Sequence, residues 1–175
     1  LFSLFGERVF NKGPAGIGTI WGCAAIGLIA GGTIAHRIGP KLTFRGYLWT
    51  VSAVCFLHGL TYAIFSQMEN YYWALFFIGL SRAAIAVSSV LNVSQLLHHV
   101  DDRFRGRVFT TLETVTWGFM MLSMTAAGIL SDLWSPRAIG LWSGILSGST
   151  AIFWSWAILA GKLPEPPQVE VEEEE

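Results

Sequence analysis

The residues of this chain whose chemistry is hardest to set aside lie inside its apolar runs. Arg82 stands about 11 residues into the stretch Tyr71–Leu97, which carries no other charge. At about 1.5 Å per residue that is about 16 Å along a helix, close to the middle of a bilayer. A cation there costs about 3 kcal/mol or more unless it meets a polar cavity or a partner, so it is a functional candidate by position. Ser81, Ser88, Asn92 and Gln95 recur on the same stretch at helical spacing and Ser89 joins their sector, with Val87, Val90 and Leu91 opposite. The pattern predicts one helix side lining an interior that receives a solute. A structural arginine, bonded to carbonyls of a neighbouring helix, fits the same spacing. Glu113, one to two turns into Val108–Leu130, is placed to pair with Arg82 or to exchange a proton with a cavity. Near a helix start it equally suits a carboxylate that only meets the helix dipole.

Other chemistries find little support in the residue spacing. Of the four histidines only His58 lies well inside an apolar run, while His36, His98 and His99 sit at run edges. A haem held between helices needs paired intramembrane ligands, and this pattern does not supply them. Cys23 and Cys55 fall within apolar runs, with neither zinc spacing nor the placement of a disulfide framework. A Walker-type glycine loop, a nucleophile elbow and a zincin helix are all missing from the sequence, so no enzyme, metal or cofactor is expected. A net charge of -1, with basic residues in short clusters between apolar runs, argues against a nucleic-acid partner.

The elements that must position these residues are membrane helices. Charged residues are 13% and apolar ones 53%, whereas a soluble domain is about a quarter charged. Five stretches, about 15–35, 47–66, 71–97, 108–130 and 138–161, are long and apolar enough to cross a bilayer. Gly13-Pro14, Gly39-Pro40, Ser135-Pro136 and Pro164 to Pro167 separate or follow them. The expected organisation is an opening stub and external loop over 1–14, a five-helix membrane domain over 15–162, and a disordered acidic tail over 163–175. Leu1 to Phe5 is apolar and breaks at Gly6-Glu7-Arg8, as the end of a truncated spanning helix would.

Orientation follows from the basic residues. Arg37, Lys41, Arg45, Arg103, Arg105, Arg107 and Lys162 fall on one side, seven in all, against three on the other, Arg8, Lys12 and Arg137. The richer side is expected to be cytoplasmic, with the N-terminal end outside and the C-terminus inside. Tyr71, Tyr72, Trp73 and Trp134 would mark the outer interface, and Tyr47, Trp49, Trp154 and Trp156 the inner one. The first span carries Gly18 and Gly22, then Gly27 and Gly31, each pair four residues apart. Such spacing lets helix backbones approach closely, either as static packing or as a face that slides.

Two segments resemble those of a known family. Gly32-Thr33-Ile34-Ala35-His36-Arg37-Ile38-Gly39-Pro40-Lys41 is similar to the cytoplasmic signature loop of major facilitator transporters. His36 stands where that loop usually has an acid and Pro40 where a basic residue is common, as in the loop's second, degenerate copy. Asp101-Asp102-Arg103-Phe104-Arg105-Gly106-Arg107-Val108 resembles the loop between helices ten and eleven of the subfamily of bacterial siderophore and drug exporters. The resemblance implies an all-α integral membrane fold in which the five spans are helices eight to twelve and Leu1 to Phe5 ends helix seven. It further implies a plasma-membrane secondary transporter that moves a small organic solute, outward in this subfamily, by rocking against an N-terminal half that this chain lacks. Its partners would be the lipid bilayer, that missing half and the unknown solute. The alternative is a non-transporting membrane interaction protein whose helices pack against a partner.

Overall fold

The computed structural model describes residues 1–165, and all of their regular secondary structure is helical. The acidic end of the chain, 166–175, lies outside the described residues, so the expected tail is followed only to Glu165. A short opening helix, α1 (Phe2–Leu4), continues as a π-helical turn over Phe5–Val9. Five long helices follow: α2 (Gly13–Ile38), α3 (Phe44–Gln67), α4 (Tyr71–His99), α5 (Asp102–Leu130) and α6 (Pro136–Leu159).

Helix starts coincide with residues that can satisfy free backbone N–H groups. Thr43, Asn70, Asp101 and Ser135 are the caps of α3 to α6, and each side chain accepts a backbone hydrogen bond from the first turn. Pro14 and Pro136 occupy first-turn positions, where a missing N–H costs nothing. Gly39-Pro40-Lys41 forms a 3-10 turn between α2 and α3.

The loop expected between the third and fourth spans, 71–97 and 108–130, is shorter than the sequence suggested. Asp102, Arg103, Arg105, Gly106 and Arg107 lie in the first turns of α5, because Asp101 caps that helix directly after α4 ends. Likewise Gly32, His36 and Arg37 belong to α2, and only Gly39 and Lys41 of the signature segment lie in the turn.

Four of the long helices stand in a row, α2, α4, α3, α6, in which neighbours pack extensively. α5 has no buried residue and no substantial packing partner. The opening segment wedges into one end of the row: Phe2 and Phe5 are buried with Ile20, Tyr62, Phe65 and Ile78, and the Phe5 and Phe65 rings lie 4.8 Å apart.

α2, α3 and α4, with the turn after α2 included, are long and apolar enough to cross a membrane. α5 and α6, at 29 and 24 residues, have the length. α5 is more polar, carrying Arg103, Arg105, Arg107 and Glu113, and α6 interrupts its apolar residues with Ser143, Ser147, Ser149 and Ser155. Side chains such as Ile29, Met121, Leu146 and Ile152 point outward, an apolar exterior suited to lipid contact.

Backbone-to-backbone contact holds the row together at two crossings. A Cβ on Gly27 would collide with the Gly79 carbonyl and one on Gly31 with the Ala83 carbonyl, so α2 and α4 meet in parallel without side chains between them. α3 and α6 cross antiparallel, with Gly59 against Gly148 and a Cβ on Gly144 only 2.6 Å from the Ala63 nitrogen. Gly18 and Gly22, expected to act with Gly27 and Gly31, face open space instead. The second crossing has its own signal in sequence, since Gly140, Gly144 and Gly148 recur every four residues.

Gly27→Ala and Gly31→Ala should each cost about 1–3 kcal/mol, the range for overpacking. Gly18→Ala and Gly22→Ala should change stability by no more than about 1 kcal/mol. Thermal unfolding of the purified protein in detergent checks both pairs. Asn70→Ala, which removes the α4 cap, should cost about 1 kcal/mol in the same measurement.

Candidate functional site

α4 carries most of the polar groups inside the row, and its position between α2 and α3 decides what each one meets. The expected single sector, Arg82 with Ser88, Ser89, Asn92 and Gln95, separates into three environments. Ser88 is buried, Ser89 is exposed, and Val87 and Leu91 on the side expected to face away are buried as well. The reason is that α4 has packing partners on two sides, so burial wraps further around it than a single stripe.

Arg82 occupies the first environment. Its guanidinium carbon lies 4.9 Å from the centre of the Phe2 ring and 6.0 Å from that of Tyr62. These are cation–π distances, and the rings supply a diffuse negative face rather than a counter-charge. Among the described residues no carboxylate lies within ion-pair distance of Arg82, and no carbonyl of a neighbouring helix accepts from it. Beside it, Ser81 Oγ is 2.8 Å from His58 Nδ1, and the same ring nitrogen is 3.0 Å from the Ser81 carbonyl oxygen. His58, the one histidine deep in a span, is thereby committed to a helix contact.

The second environment is a relay of hydrogen bonds between α3 and α4. The Tyr47 hydroxyl donates to Asn92 Oδ1 at 2.6 Å, Asn92 Nδ2 donates to Ser88 Oγ at 3.3 Å, and Cys55 Sγ lies 3.7 Å from the same hydroxyl. With its polar atoms already partnered, this relay reads as a fastener. Tyr47, expected at the inner interface as an anchor, is buried here.

The third environment is a cavity of about 650 Å³ at the basic end of the row. Gln95 reaches it from α4 and His36 and Gly39 reach it from α2 and the following turn, so the polar sector and the signature segment meet here. Ser94, His98 and His99 complete the polar wall on α4, and Glu165 contributes from beyond α6. A separate groove of about 580 Å³ between α3 and α6 is lined mainly by apolar groups such as Trp49, Phe56 and Ile152.

Glu113 is not brought to Arg82. It lies on α5, where its Oε2 accepts from the Trp117 indole N–H at 2.9 Å, one turn along the same helix. The charges at the start of α5 are used locally. Asp101 accepts from the Arg103 backbone at 2.9 Å, and Arg105 pairs with Asp102. The Arg105 guanidinium also donates to the Leu97 carbonyl at 2.7 Å and the Val100 carbonyl at 3.2 Å, closing the end of α4. Arg103 holds the Asp101 carboxyl below its ordinary value, chiefly through its side-chain hydrogen bond, and Asp101 raises Arg103 in return.

No protein family, curated protein or solved structure matches this chain.

Tyr47→Phe should destabilise the protein by about 1 kcal/mol, the scale of an interhelical hydrogen bond in a membrane protein, as read by unfolding in detergent. The Asp101 cap acts in the ionised form, and its depressed value means that its contribution is complete at neutral pH and is lost as pH falls through that value. The protection of the Arg103 amide, its exchange rate taken relative to the intrinsic rate at each pH, should therefore fall on acidification, and Asp101→Asn should remove that fall.

Proposed function

We propose that this chain is the C-terminal half of a secondary transporter of the major facilitator type, moving a small organic solute outward by alternating access. Arg82 carries the reading. A cation near the middle of an apolar helix, with aromatic faces beside it and no carboxylate partner among the described residues, has the setting of a group that meets a solute or the opposing half. The five long helices, the seven-to-three split of basic residues and the two resembling segments support the same reading. On it, α2 to α6 all cross the plasma membrane, and the basic end with its cavity faces the cytoplasm. The close crossings of α2 with α4 and α3 with α6 hold each pair together, which suits a body that rocks as a unit.

The test is flux of candidate solutes from proteoliposomes containing the intact gene product. Arg82→Ala should lower flux or raise KM by about tenfold, and Arg82→Lys should retain part of it. Unchanged flux and affinity across solutes would remove Arg82 from the pathway. Proton coupling through Glu113 belongs to the same proposal, and a pH dependence of flux that survives Glu113→Gln would exclude it.

One observation favours a second reading, a membrane interaction protein that does not transport. α5 exposes Val115, Phe119, Leu122 and Met124 around its circumference and packs against no other helix of the row. A helix of that kind suits a partner as well as lipid. Absence of flux for every solute from a folded protein that co-purifies with a single membrane partner would support it.

A further inference from the structure

We propose that the cavity at the basic end of the row is a binding site for a phosphate-bearing anion, with the headgroup of an anionic lipid as its occupant. Its floor is apolar, formed by Ala35, Phe44 and Leu91. Its polar wall presents three imidazoles, His36 from α2 and His98 and His99 from α4, together with the Gln95 amide and the Ser94 hydroxyl. Imidazole N–H, amide and hydroxyl groups are the donors that a phosphate oxygen takes.

The unpaired charge beside it in sequence is basic. Arg37, Lys41 and Arg45 adjoin the lining in sequence; Asp101 and Asp102, just beyond His99, are engaged by Arg103 and Arg105, and Glu165 is the one carboxylate on the wall among the described residues. α3 contributes Phe44 and its cap Thr43, neither of them charged. An apolar floor beneath a donor-rich wall, at the end of membrane-crossing helices, matches a molecule with a charged head and a hydrocarbon body. Helix-dipole compensation accounts for His98 and His99 in the last turn of α4. It applies equally to His36 in the last turn of α2, but it does not account for Gln95, or for side chains of two helices lining one space. His99 is partly committed, since its Nδ1 donates to the Gln95 carbonyl at 2.7 Å, which leaves His36 and His98 as the free donors to test.

Native mass spectrometry of the purified protein, titrated with phosphatidylglycerol and separately with phosphatidylcholine, reads the site. Phosphatidylglycerol should bind more tightly, and the double variant His36→Asn/His98→Asn should weaken that binding by about tenfold while leaving phosphatidylcholine unchanged. Both side chains are exposed, so the variant should fold, and an unaltered unfolding temperature verifies it. Glu165→Gln should tighten phosphatidylglycerol binding. Inorganic phosphate, added as competitor, separates the two sources of the same chemistry: displacement of the lipid supports the anion site with a soluble phosphate as a rival occupant, and failure to displace it supports the lipid. Equal binding of the two lipids, or an equal loss in the remote variant Arg137→Gln, would overturn the proposal.

Discussion

The contact on which this structure depends is the approach of one helix backbone to another where no side chain intervenes. In lipid, apolar side chains gain little by leaving one hydrocarbon surface for another, so helices associate through close van der Waals packing and polar bridges. α2 and α4 meet at Gly27 and Gly31, and α3 and α6 at Gly59, Gly144 and Gly148. The central seam between α3 and α4 works differently. Three polar pairs, His58 with Ser81, Cys55 with Ser88 and Tyr47 with Asn92, bridge it along its length. Two glycine crossings joined by a polar seam make the row α2, α4, α3, α6.

That row determines where charge can sit. α4 is flanked on both sides, so its polar residues are distributed among a cation–aromatic contact, a hydrogen-bond relay and an open cavity rather than pooled in one chamber. Two of the basic residues at the end of the row are spent on local tasks: Arg103 on the Asp101 cap, Arg105 on Asp102 and the last carbonyls of α4. Arg82 stands within the row instead, and among the described residues its close partners are the Phe2 and Tyr62 rings. Phe2 comes from the opening segment, which therefore supports both the core and the immediate surroundings of that cation.

Much of the helical pattern could be read from local chemistry. Apolar runs and the breakers Gly13-Pro14 and Ser135-Pro136 predict helix ends close to those observed for all but α5, since such signals act within a few residues of the chain. The helical start of α5 was harder to read, because its arginines suggested a solvated loop while Asp101 and the Asp102–Arg105 pair stabilise a helix there. Of the glycines in α2, two of the four singled out by spacing are at a crossing and two are not. Periodicity gives a helix a face, but the identity of its neighbour decides whether that face is used.

The sequence by itself determined the helical class, the apolar character, the helix limits apart from the start of α5, and the unusual place of Arg82, all of which follow from composition and contacts a few residues apart. Only the tertiary structure decided which helices are neighbours, that Gly79 and Gly148 complete the crossings, that Glu113 turns to Trp117, and that His36 and Gln95 share a cavity. Apart from Glu113 with Trp117, one turn along the same helix, those pairings join residues tens of positions apart. They are set by which surfaces interlock at close range, and no local pattern encodes that.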